Sequence, residues 1–97
     1  MNMQAMLKQA QQMQKQMLAE QEKINSATFV GENGLVKVTM KGTKRIEKVE
    51  IKKEDDFGKD DLEMLEDMIM VAVNDCLAQI DKETEEKLGK YTRGLPF

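Results

Sequence analysis

Ninety-seven residues make one domain of ordinary small size, and a chain of this length buries only roughly 60 to 70% of its unfolded surface, which argues against a second core and for self-association. The absence of His removes imidazole-based nucleophile pairs and the common zinc sites, and a single Cys, Cys76, leaves no intramolecular disulfide. A formal charge of −3 hides an uneven distribution, because residues 1–53 carry ten Lys or Arg against five acids while residues 54–67 carry eight acids against one Lys.

Residues 1–25 are predicted to form a helix, since they hold no Gly or Pro and are rich in Gln and Met. Met3, Met6, Ala10, Met13, Met17 and Ile24 recur at three-four spacing as an apolar seam, broken only by Glu20. On the opposite side Lys8, Gln11, Gln12 and Lys15 stand at i, i+3, i+4 and i+7, with no acidic residue before Glu20. Gln and Lys cover many amphipathic helices simply because they favour helix and hydrate well. Exposed helices usually intersperse both signs of charge, however, and these donors suit phosphate oxygens or adenine edges. The stripe is therefore the candidate nucleic-acid contact.

Residues 27–52 are predicted to form three antiparallel strands. β-Branched and aromatic residues in Ala27-Thr28-Phe29-Val30 precede a turn expected over Gly31-Glu32-Asn33-Gly34. From Leu35 to Lys41 the chain alternates, Val36, Val38 and Met40 on one face and Lys37, Thr39 and Lys41 on the other, the pattern of a strand covered on one side. In the third strand Val49 and Ile51 share a face but Ile46 breaks parity, which predicts a bulge near Glu47 and Lys48. Lys37, Lys41, Lys44, Arg45, Lys48 and Lys52 form a competing basic surface, interrupted by Glu47 and Glu50. Lysines on strand faces also guard sheet edges against aggregation.

Glu54 to Gly58 reads as a polar connector, and Asp60 with Glu63 has the form of a capping box opening a helix over 60–88. Leu62, Leu65, Ile69, Ala72, Cys76 and Ile80 line one side of it, while Met68, Met70, Val71 and Val73 make its middle apolar all round. One sheet and one other helix cannot cover such a segment, so a second copy is expected on Met68, Ile69, Val71, Ala72 and Val73 as a homodimer interface. Residues 89–97 are expected as a tail, with Lys90 and Arg93 as candidate DNA contacts. The acidic run from Glu54 to Asp61 fails the calcium-loop template, since placing Gly58 at the sixth position puts Lys53 at the first. Cys76 reads as a small buried hydrophobe, and no glycine-rich phosphate loop occurs. No metal, cofactor, small-molecule substrate or catalytic residue is expected. Without a leader pattern, and with no apolar run beyond the six residues Met68 to Val73, a soluble cytoplasmic protein is expected.

In order along nearly the whole chain, several segments resemble the YbaB/EbfC nucleoid-associated DNA-binding proteins. They are Met6-Leu7-Lys8-Gln9-Ala10-Gln11-Gln12-Met13-Gln14, Gly34-Leu35-Val36-Lys37-Val38-Thr39 followed by Gly42, Val49-Glu50-Ile51, Leu65-Glu66-Asp67, Asn74-Asp75 and Gly94-Leu95-Pro96. The resemblance implies an α+β fold with an N-terminal helix, a three-stranded antiparallel sheet and a long C-terminal helix, assembled as a tweezer-like bacterial cytoplasmic homodimer. It also implies binding to double-stranded DNA at the nucleoid, without catalysis. The alternative is a dimeric protein-interaction module whose Met-lined seams adapt to apolar partners, with DNA affinity incidental.

Overall fold

The computed structural model describes residues 2–54 and 57–93. Its elements are α1 (Met3–Ser26), β1 (Thr28–Asn33), β2 (Val36–Lys41), β3 (Ile46–Ile51) and α2 (Leu62–Arg93), with a 3-10 turn over Lys59–Asp61 before α2. This is the α+β order that the periodicities predict. The strands form one antiparallel sheet in the order β1-β2-β3.

Helix α1 starts where the Asn2 side chain accepts the Gln4 N–H at 3.0 Å and stops at extended Ala27, whose N–H reaches the Ile24 carbonyl. The first hairpin turns through Gly34 and Leu35 alone, with Asn33 paired to Val36. Gly34 carries φ +55, the positive value that a turn of two residues requires at its first position. The expected turn over Gly31–Gly34 is thus one residue pair too early, because Gly31 continues β1 and serves packing. A Cβ there would meet the Ala72 carbonyl and the Cys76 sulfur of α2. The bulge lies where parity placed it: Thr39 pairs with Lys48 and Met40 with Ile46, leaving Glu47 as the extra residue of β3.

The sheet's inner face and α2 make the core. Val36, Val38 and Met40 of β2 are buried against Ala72, Cys76 and Ile80 of α2, with Ile24 closing one end. Each large apolar side chain so covered contributes about 1.5 to 3 kcal/mol. The Cys76 thiol donates to the Val38 carbonyl at 3.4 Å, and Met68 sulfur accepts the Leu35 N–H at 3.4 Å, so the hairpin turn and the middle of β2 are both tied to α2. Gln79 donates to the Val30 carbonyl at 2.7 Å on the outer edge of β1.

Two features of α2 differ from expectation. Its start uses Gly58 and Asp61 rather than Asp60 and Glu63: the Gly58 N–H donates to the Asp61 carboxylate at 2.8 Å, because a 3-10 turn precedes the α-helix. Its end runs to Arg93 instead of Leu88, since Gly89 is buried and Leu88 and Tyr91 are half-buried, so packing outweighs the glycine's poor helix propensity. Lys90 is therefore helical, and the Arg93 side chain and residues 94–97 of the expected tail lie outside the described residues.

Two measurements test this packing. Gly42 is buried with the Ile24 backbone carbonyl where a Cβ would stand, whereas Gly58 faces open space. Gly42→Ala should cost about 2 to 4 kcal/mol in urea denaturation and Gly58→Ala less than about 0.5; equal effects would contradict the close contact. Burial, with Asp75 nearby, pushes the Cys76 thiol above its ordinary 9.0. The folded state then holds its proton more tightly, so this contribution to stability is complete below pH 9.0 and is lost as pH rises past it. Native protein at pH 8 should resist a disulfide thiol reagent that labels the urea-unfolded chain at once.

Candidate nucleic-acid interface

The molecule measures 72 by 23 by 14 Å, and α1 accounts for much of that length. Its 24 residues span about 36 Å at the helical rise. Only its last turns are anchored. Ile24 enters the core, and Met17 and Met13 lie beside Tyr91 near the end of α2, so the two helices run antiparallel. Residues 2–16 are all exposed. The segment before Ala10 extends past Tyr91 as an arm.

The predicted stripe lies on this arm. Lys8, Gln11, Gln12 and Lys15 are exposed, and Gln12 and Lys15 share a shallow surface with Gln16 and Ala19, formed by α1 alone. Ala10, Met13 and Met17 point the other way, toward Tyr91. Among the described residues neither Lys8 nor Lys15 has an ion pair, and the first acid of α1, Glu20, bonds to Lys23 at 3.7 Å. No carboxylate occupies the first turn, so the positive end of the helix dipole, roughly half a charge, adds to the arm's potential. The arm is uniformly cationic.

The sheet surface is different. Lys41 lies 3.8 Å from Glu47 while donating to Ser26 and Thr28, Lys48 lies 3.2 Å from Glu50, and Lys44 lies 3.4 Å from Asp81. Lys37 stands in register between Glu32 and Glu50. Exposed pairs contribute little stability, but they cancel the local field that a phosphate would sense. Lys90 sits apart from the stripe, its ammonium 5.2 Å from the Tyr91 ring centroid on the groove side of α1. One subunit thus gathers Lys8, Gln11, Gln12 and Lys15 but does not bring Lys90 to the same face.

Most of the acidic excess is segregated from the arm. Tyr91 flanks the arm, whereas Asp60, Asp61, Glu63, Glu66 and Asp67 cluster at the other end of α2. The 29 helical steps between Leu62 and Tyr91 amount to roughly 43 Å, several times the Debye length of about 8 Å in physiological salt.

An apolar face is also left open. Helix α2 covers β1 and β2 and leaves β3 largely uncovered. Ile46, Val49 and Ile51 pair with Met40, Val38 and Val36 on the inner face, yet remain 44%, 44% and 48% exposed. On α2, Ile69 and Val73 are half-buried beside the core. Of the residues expected at an interface, Ala72 is fully buried inside its own subunit, and Met68 is half-buried beneath the hairpin turn. The all-round apolar pattern could not reveal which side the sheet takes. The β3 residues were missed as interface candidates although the shared parity of Val49 and Ile51 was visible in the sequence.

A profile of the YbaB/EbfC DNA-binding family matches residues 1–95. A nucleoid-associated protein of Lactococcus lactis subsp. lactis is 52% identical over 99 residues, spanning 100% of this chain and 99% of its own. One from Enterococcus faecalis is 48% identical over 97 residues, spanning 98% and 92%. An uncharacterized protein of Helicobacter pylori, solved by crystallography, superposes with TM-score 0.73 over 97% of this chain and 99% of its own. At 21% identity that likeness shows the fold.

Proposed function

The chain belongs to the YbaB/EbfC DNA-binding family, and on that premise we propose that it is a non-catalytic bacterial protein of the cytoplasm and nucleoid. It binds double-stranded DNA as a homodimer through paired α1 arms and so influences chromosome organisation or gene expression. The observation that carries this reading is the contrast between a cationic arm with no carboxylate before Glu20 and a sheet surface where Lys37, Lys41, Lys44 and Lys48 are matched by acids. Lys8 and Lys15 supply phosphate contacts, Gln11 and Gln12 donate to phosphate or base edges, and the helix N-terminus adds partial positive charge. Lys90 and Arg93 contribute secondary contacts in this scheme.

Dimerisation supports the same reading, because two arms double a modest charge. The uncovered inner face of β3, with Ile46, Val49 and Ile51, together with half-buried Ile69 and Val73 and exposed Met70 and Val71 of α2, gives a second copy apolar side chains to cover. A stable interface needs about 800 Å² per partner, and these apolar side chains supply surface toward it.

If each arm neutralises two or three phosphates, the logarithmic salt slope should be about minus four to minus five. Replacing Lys8 and Lys15 with Ala should weaken binding at least about tenfold and flatten that slope by two to four, while Lys41→Ala with Lys44→Ala changes little. Mobility-shift titrations at two salt concentrations measure both, and a larger effect from the sheet pair would reject the arm assignment. Val49→Asp with Ile51→Asp should yield a folded monomer by sedimentation at micromolar concentration, with unchanged circular dichroism and weaker DNA binding. A dimer that survives these charges would place the interface elsewhere.

A further inference from the structure

We propose that the methionine seam of α1 is a reversible oxidation site, at which hydrogen peroxide converts Met13, together with Met3 and Met6, to methionine sulfoxide and unfastens the arm from Tyr91. The surroundings of the sulfur differ among the methionines. Met40 is 1% exposed and the Met68 sulfur already accepts the Leu35 N–H, whereas Met3, Met6 and Met13 are 76%, 53% and 44% exposed. Met13 and half-buried Met17 join Ala10, Gln14 and Tyr91 around an open groove of about 210 Å³, which admits a molecule as small as peroxide. Cys76 is fully buried and screened from the same reagent, so the accessible sulfur among the described residues is thioether rather than thiol.

The chemistry balances without a further group. A sulfur lone pair attacks one peroxide oxygen, and the S–O bond forms as the O–O bond breaks. Sulfur gives up two electrons, and the displaced hydroxide takes the proton of the transferred oxygen to leave as water. Methionine sulfoxide reductases return the thioether, and exposed positions are the ones such an enzyme reaches. The consequence follows from position, because Met13 and Met17 meet Tyr91 at the root of the arm. A thioether favours contact with an aromatic ring, while a sulfoxide carries a polar oxygen whose burial costs free energy. A projecting helix of some ten residues is marginal in water unless something packs on it. Oxidation at the root therefore frays the arm without changing its charge. Where the arm holds DNA, a consequence that rests on the reading above, the oxidised protein binds less tightly at an unaltered salt slope, since Lys8 and Lys15 stay cationic. The oxidation site itself stands whether or not the arm binds DNA.

Treatment of the full chain with hydrogen peroxide tests it. Peptide mapping should find Met3, Met6 and Met13 oxidised well before Met40, and amide exchange of residues 6–16 should accelerate roughly fivefold while β2 is unchanged. A methionine sulfoxide reductase supplied with dithiothreitol should restore the slow exchange. Met13→Leu with Met17→Leu keeps the apolar packing and removes the oxidisable sulfur from the groove. In that variant peroxide should no longer speed arm exchange, although Met3, Met6, Met64 and Met70 remain open to it. Met13 oxidising no faster than Met40, arm exchange that ignores oxidation, and acceleration that persists in the leucine variant each overturn the proposal. Faster arm exchange with undiminished DNA affinity supports the oxidation site and rejects the arm as the DNA contact.

Discussion

One helix cannot cover three strands, and the rest of the molecule follows from that mismatch. A helix with its side chains is about 10 Å across, while three strands at about 4.8 Å spacing present a wider apolar face. Helix α2 resolves this by approaching β1 and β2 very closely. Gly31 supplies no Cβ, Ala72 and Cys76 are small, and the thiol donates to the Val38 carbonyl. Closeness on that side leaves β3 bare on the other. The same helix then continues well past the sheet, and its far end gives α1 something to lie against. The core contact, the open β3 face and the length of the arm are thus consequences of one placement.

The distribution of charge has a similar logic. Several lysines on the sheet sit in a lattice fixed by strand register with a carboxylate across or beside them, as Lys37 has Glu32 and Glu50. Register forces these neighbours together whatever the net charge. On the projecting part of α1 no second element supplies acids, so sequence alone decides the potential, and the sequence there contains only Lys and amides as polar side chains. Equal side-chain chemistry therefore has different consequences on the two surfaces.

Much of this was legible before the structure, and the misreadings share a cause. The seam of α1, the alternation of β2 and the parity break of β3 are local patterns, and the bulge falls at Glu47 as that break requires. Gly31 was mistaken for a turn residue because a glycine needed for close helix packing looks the same in sequence as one needed for a turn. Gly89 was likewise read as a helix end, though it is buried within α2. Ala72 was placed at the interface because an all-round apolar segment does not say which side its own sheet occupies. Each error concerns a contact between distant parts of the chain, where a residue's local preference is overridden. The arm residues were legible as a stripe, but the pairing of the sheet lysines, which makes that stripe the better candidate, was not.

Net acidity is the strongest objection to a DNA partner, and geometry weakens it. A pI near 5.0 describes a sum over the whole chain, whereas phosphate responds to charge within about 8 to 10 Å. Most of the acidic excess starts α2, where carboxylates are favoured by the helix dipole for reasons of folding alone. That end lies several screening lengths from the arm. The nearer acids, Glu83, Glu85 and Glu86, are interspersed with Lys82, Lys87 and Lys90. Acidity at one end and bare cations at the other would also orient the molecule on approach, arms toward the duplex and acidic ends away. In the proposed mode of binding, the acidic segment limits non-specific adhesion of the body without reducing what the arm can hold, and affinity follows from the few arm charges multiplied by the number of copies.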